Sequence, residues 1–235
     1  MYGWFDIQNF PVLSFNKIKV IVKKDNNFYR YIREGDEKVE KIIVTKSCNL
    51  VINPIEPVNL PKNLTNFLYI ELENPVFSEP KSFTDVYLTF PIEIGVFLAM
   101  KKSFEVLDIF SLQKQKYTLY GNPRTGIICR YWRSDVYSKI PELDPIRNGV
   151  LKLKIVNNSD EWVEIKRIVL DVYGMKIYYN ESLVFSSALM NIVSRNVAET
   201  FFLDESFRDM NKSIELYVAR RIPTMKKKFV MEWGL

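Results

Sequence analysis

From Val86 to Leu98 every even-numbered residue is apolar, while Tyr87, Thr89, Pro91, Glu93 and Gly95 fall between them. A period of two is that of a strand with one buried face. Pro91 lacks the amide that a ladder needs and Gly95 weakens a strand interior, so an edge position, a bulge or a bend is expected there. Ile18, Val20 and Val22 share a face in the same way, and "FYRYIREGDEKVEKIIV" predicts two strands around a Glu-Gly-Asp-Glu turn. Prolines 54, 57 and 61 fix φ at intervals and predict an extended connection, after which Leu68, Ile70 and Leu72 resume the alternation.

The run "FEVLDIFSL" fits a short helix or a buried strand, and its β-branched and aromatic content favours the strand. "KYTLY" and "IICRYWRSDVY" predict a hairpin whose turn, "GNPRTG", is explained by Pro123 and two glycines. "GVLKLKIVNNSDEWVEIKRIVLDV" predicts a second hairpin, and its phase flips between Lys166 and Ile168, the expected trace of a bulge or a change of partner. Strands are expected at "MKIYYN", "SIELYVARR" and "KKKFVMEW", whereas "SLVFSSALMNIVSRN" suits a helix face or a strand.

Many short strands with turn signals and little helix indicate an all-β fold of two sandwich-like antiparallel parts. A boundary is expected where prolines, a glycine and charges cluster at 141 to 149, giving an N-terminal domain of residues 1–145 and a smaller domain of 146–235; a single large sandwich is the alternative.

Composition narrows the chemistry more than the fold. With 47% hydrophobic and 26% charged residues among 235, the chain has the make-up of a globular protein. The net charge of +5 permits an anionic partner, but acids and bases interleave, as in "DEKVEK". The one basic concentration is Lys226 to Lys228, with Arg220 and Arg221 before it. There is no histidine, which removes the usual base near neutral pH and the commonest transition-metal ligand. Serine and cysteine triads that need histidine are thereby closed to a single chain. Two cysteines are too few for a disulfide framework and suggest a reducing compartment. No signal peptide opens the chain and no apolar run approaches ~20 residues, so a cytoplasmic protein is expected.

"LTFPIEIGVFLA", "KYTLYGNPRTGIICRYW" and "LKIVNNSDEWVEIKRIVLD", in that order, resemble a conserved archaeal family of unknown function, number four hundred and thirty-two of that series. The resemblance covers most of the chain. It implies an archaeal, cytoplasmic origin and brings no activity, cofactor or catalytic residue.

The candidate site is the second strand of the first hairpin, which mixes charge and apolar residues on both faces. Arg124, Arg130 and Arg133 there could surround an anionic ligand, since planar guanidinium groups grip carboxylate or phosphate. The structural account instead lays Arg130 on the same-face Trp132 as a cation–π pair. Cys129 as a nucleophile would need its thiol acidified by the arginines, and a buried core thiol is the simpler expectation. A carboxylate- or metal-dependent hydrolase would draw on Glu71 and Glu73, which share a face, or on Glu93 and Asp108, which sit among apolar neighbours. No phosphate loop, dinucleotide motif or RNA-recognition signature is present. A non-enzymatic binding or interaction module without cofactor is therefore expected, taking a protein or an anionic small molecule, with nucleic acid and hydrolysis as alternatives and an open strand edge as a route to homo-oligomers.

Overall fold

The structure, a computed structural model, describes residues 1–100, 103–207, 209–220 and 228–235. It is almost all β, and the described strands make four sheets that form a smaller and a larger sandwich. The smaller sandwich has a sheet in the order β1 (Gly3–Asp6), β6 (Asn49–Ile55), β9 (Glu93–Ala99) and β10 (Phe104–Phe110). It faces a meander of β2 (Leu13–Phe15), β3 (Ile18–Asp25), β4 (Phe28–Glu34) and β5 (Val39–Ile43). Phe15, Val20, Tyr31, Leu50, Ile52, Ile94 and Val96 fill the space between.

The larger sandwich has a first sheet in the order β11 (Tyr117–Tyr120), β12 (Ile127–Ser134), β7 (Phe67–Ser78) and β14 (Val163–Asp171). The other runs β18 (Asn211–Lys212), β15 (Tyr178–Tyr179), β16 (Val184–Ser194), β13 (Asn148–Asn157) and β8 (Ser82–Pro91), with β17 (Val197–Leu203) on β16 and β19 (Phe229–Met231) on β17. Leu68, Ile70, Leu88, Phe90, Leu151, Leu153, Ile168 and Leu170 belong to its core. Among the described strands two pairings are parallel, β12 with β7 and β13 with β16. The boundary expected at residue 145 runs through this sandwich, because β7 and β8, before it, pair with β14 and β13, after it.

The alternating run from Val86 to Leu98 belongs to two strands, β8 and β9, and Pro91 is where one sheet hands over to another. Up to Pro91 the chain pairs with β13, and from Glu93 it pairs with β6 and β10. Ile92 between them donates its amide to the Arg147 carbonyl at 3.1 Å. The expected bend is thus the seam between the two sandwiches.

The second expected hairpin is not one. β13 and β14 lie in different sheets, and the turn between them is an arch across the core. Buried Asn157 shapes it, donating to the carbonyls of Ser78 (3.1 Å) and Glu161 (3.0 Å) and accepting from the Ser159 amide at 3.0 Å. β7 and β8 form the preceding arch, so each strand of one arch finds its partner in the other. Alternation alone reads the same for a hairpin and an arch, because both bury one face. The phase flip at Lys166 is a register shift in the β7–β14 pairing.

"SIELYVARR" is corrected likewise. Its described residues hold a four-residue helix, α1 (Leu216–Ala219), and no strand. Leu216 and Ala219 both pack on Val51, Ile55 and Phe97 of the smaller sandwich. A separation of three puts two side chains on one face of a helical turn and on opposite faces of a strand. "FEVLDIFSL" and "SLVFSSALMNIVSRN" resolve as strands β10 and β16. No described helix is long and apolar enough to cross a membrane.

A side-chain ring closes tightly over one glycine of β13. A Cβ on Gly149, paired with Phe90, would sit 2.4 Å from the Phe90 ring. Gly149→Ala is expected to lower the unfolding free energy by about 1–3 kcal/mol, the usual scale of overpacking, as measured by urea denaturation.

Candidate functional site

The arginines of the first hairpin do not converge. Arg124 is exposed on the turn, where its amide donates to Asn122 Oδ1 at 2.9 Å. Arg133 lies on the opposite strand face from Arg130 and pairs with Glu73 at 3.1 Å on the surface. Trp132 is half-buried and donates from Nε1 to Thr89 Oγ1 at 2.9 Å, bracing β12 against β8. The guanidinium of Arg130 stands over the Tyr117 ring at 5.7 Å, so the expected partner Trp132 is replaced by a residue of the neighbouring strand.

Arg130 is 1% exposed and points to the seam between the two sandwiches. Its Nη2 donates to the Lys114 carbonyl at 3.2 Å, and Nε and Nη1 have no hydrogen-bond partner. Burial pulls its pKa down, opposed by the nearby phenol of Tyr117 and the carboxyl of Glu93. Glu93 is equally buried, and burial pushes its carboxyl up to about 8 against the opposing hydrogen bond from the Asn59 amide (3.1 Å) and the charge of Arg130. Glu56, also buried, is pushed up to about 7 by burial and by Glu215, with hydrogen bonds from its own amide and that of Leu216 and the charge of Lys176 opposing. Oε1 of Glu93 and Oε2 of Glu56 have no partner.

In front of this layer lies an open cleft of 640 Å³. Its lining includes Val58 and Asn59, the loop from Asn63 to Phe67, Gly126 to Ile128 from the end of the Gly-Asn-Pro turn, Tyr173, Tyr217 and Arg220. Thr65 donates from Oγ1 to the Ile128 carbonyl (2.5 Å) and accepts the Phe67 amide (2.9 Å), locking loop to hairpin. The Tyr173 and Tyr217 rings lie 4.3 Å apart. The Tyr217 hydroxyl is buried and without a hydrogen-bond partner, and burial holds it protonated far above the usual phenol range. Arg220 is the one charged side chain among the described lining residues. A cleft of this volume falls in the range of small-molecule sites, and acids with perturbed pKa, here two that each hydrogen-bond the lining residue Asn59 through side chain or backbone, are a signature of functional positions.

The remaining candidates are engaged elsewhere. Glu71 accepts the Tyr131 hydroxyl. Asp108 accepts Arg33 Nε (2.7 Å) and the Tyr31 hydroxyl (2.9 Å), tying β10 to β4. Cys129 lies in the larger core, where burial pushes its thiol up to about 12, while Cys48 lies against the smaller core; both are free. Among the described residues no group of three or more acids and cysteines is arranged to hold a metal ion. Of the basic run, Lys228 pairs with Glu199 at 3.0 Å and Arg220 lines the cleft, whereas Arg221, Lys226 and Lys227 lie outside the described residues.

Asn59, Tyr173 and Tyr217 were not singled out by pattern. The one available signal was Glu56, an acid set between Pro54 and Pro57 in an otherwise apolar stretch. Comparison with curated proteins found no match, and neither did comparison with solved structures. The family model described as "Protein of unknown function (DUF432)" matches residues 1–232, and the chain therefore belongs to that family.

Proposed function

We propose that the protein is a binding module whose site is the cleft between the first hairpin, the 58–67 loop and α1, and that its ligand is a small anion. The observation that carries this is the Tyr217 hydroxyl, buried without a partner at a cleft whose charged lining is Arg220. A buried donor left unpaired costs stability, and an oxygen-rich ligand would satisfy it. Arg220 supplies the guanidinium suited to carboxylate or phosphate. The arginines of the hairpin stay out of the lining, and the hairpin contributes backbone and Ile127 and Ile128 instead. The two free cysteines are in keeping with a reducing, cytoplasmic setting, which belongs to the same proposal.

Thermal unfolding with sulfate, inorganic phosphate and citrate tests the site. At a hundredfold excess over its Kd a ligand contributes about 2.7 kcal/mol, which raises Tm by about 5–10 °C in a domain of this size. Tyr217→Phe keeps the ring contact and Arg220→Gln removes the charge, and each is expected to shrink the rise. A rise that persists unchanged in both variants, or no rise with any of the three anions, overturns the assignment.

A further inference from the structure

The wall of the cleft rests on a buried acid. Asn59 faces the cleft, donates its backbone amide to Glu93 Oε2 at 3.1 Å and donates its side-chain Nδ2 to the Glu56 carbonyl at 2.7 Å. The charged and titratable groups facing Glu93 are Arg130 from β12 and Tyr117 from β11, with the amides of Asn59 and Leu60 on the remaining side. Tyr117 in turn donates its hydroxyl to the Leu60 carbonyl, so the same loop is held from two strands. Behind Glu56 stand Glu215, Lys176 and Tyr217.

Building on the cleft as an anion site, we propose that it is proton-linked: an ionised Glu93 fixes Asn59 in the cleft wall, protonation of Glu93 releases it, and the buried charge of Arg130, without contacting the carboxylate directly, favours its ionised form. A carboxylate accepts an amide hydrogen bond far more strongly than a carboxylic acid does. Burial sets the transition near 8, inside the range where a modest change of pH alters the population. Anion affinity is then higher on the alkaline side. This answers what the fully buried Arg130 does: it acts on the cleft through Glu93 and touches no ligand itself.

Amide NMR of the full chain, without ligand, from about pH 6 to pH 10 tests the link. The Asn59 amide is expected to shift with a midpoint near 8, to stay flat in Glu93→Gln, and to move to a higher midpoint in Arg130→Met, where the stabilising cation is gone. An Asn59 amide that does not titrate, or that titrates equally in Glu93→Gln, overturns the proposal; Glu93→Gln is isosteric and decides the matter even where Arg130→Met does not fold. Sulfate, whose charge is constant over this range, is the binding probe by calorimetry. Its affinity is expected to rise on the order of tenfold between about pH 6.5 and pH 9, within the usual scale of coupling between sites. Equal affinity at both values overturns the linkage. No sulfate binding at either pH, with Asn59 still titrating, overturns the anion site and leaves the coupling of Glu93 to Asn59 intact.

Discussion

Asp108→Ala is expected to lower the unfolding free energy by about 3–5 kcal/mol, the usual result of removing one partner from a buried ion pair. The carboxylate is 8% exposed, and one oxygen, Oδ2, receives both Arg33 Nε and the Tyr31 hydroxyl. Arg33 is comparably buried, donates from Nη1 to the Glu37 carbonyl at 3.3 Å and lies over the Phe110 ring at 5.5 Å. Without Asp108 it is left as a desolvated charge in the space between two sheets. Arg33→Ala is expected to cost a similar amount for the mirror reason. Because the two act on one contact, the double variant should lose far less than the two single losses added. Urea unfolding of the four proteins measures this, and Tm should fall by about 6–20 °C in either single variant. A loss in Asp108→Ala under about 1 kcal/mol would mean that water reaches the pair and that the sheets are held by apolar packing alone.

The second large effect is a fall in stability as the solution becomes more alkaline. Glu93 has an ordinary value of 4.5 and is pushed up to about 8 in the folded protein. Between these values the folded chain keeps a proton that the unfolded chain has released, so the unfolding free energy declines with rising pH. The decline levels off above about 8, once Glu93 is ionised in both states. At about 1.4 kcal/mol per unit, the full excursion is roughly 5 kcal/mol. Glu56, raised to about 7, adds to it with the same sign over a shorter window. Other groups also titrate, so the informative quantity is wild type minus Glu93→Gln, followed by urea unfolding from about pH 5 to pH 9. That difference should become steadily less favourable to the wild type. A flat or rising difference would show that Glu93 ionises as freely as an exposed carboxylate.

The fold class was readable because alternation is a direct consequence of burying one face, and the alternating runs at 18–22, 68–72, 86–98 and 151–155 lie in strands. Partners were another matter. Alternation in β13 and β14 records which side chains are buried and is silent on whether the neighbouring strand lies beside them or across the core. Asn157 was the missed clue, a buried amide able to hold an arch closed. Helix α1 escaped because Leu216 and Ala219 needed knowledge of the sheet they cover. In the site, residue types were visible but directions were not: β12 sends Arg130 inward to Glu93 and Arg133 outward to Glu73, and one residue of register would exchange them. Glu93 stood out as an acid among apolar neighbours, and its burial followed. Its partner Asn59 comes from a segment 34 positions away, and such proximity exists only once the sheets are closed.

The interlocked arches also set an order of events during synthesis. β7 and β8 emerge from the ribosome long before β13 and β14, with on the order of sixty residues of chain between them, which is roughly 3–12 s at ordinary rates of elongation. For that interval two long strands carry unpaired edges and uncovered apolar faces, the state in which a nascent chain most needs a chaperone. The smaller meander, β2 to β5, is contiguous and has its strand partners almost at once. A ribosome stalled near residue 145 would thus carry a complete set of strands for the smaller sandwich, Gly3 to Phe110, tethered to an unfinished larger core, and the smaller sandwich alone would resist protease.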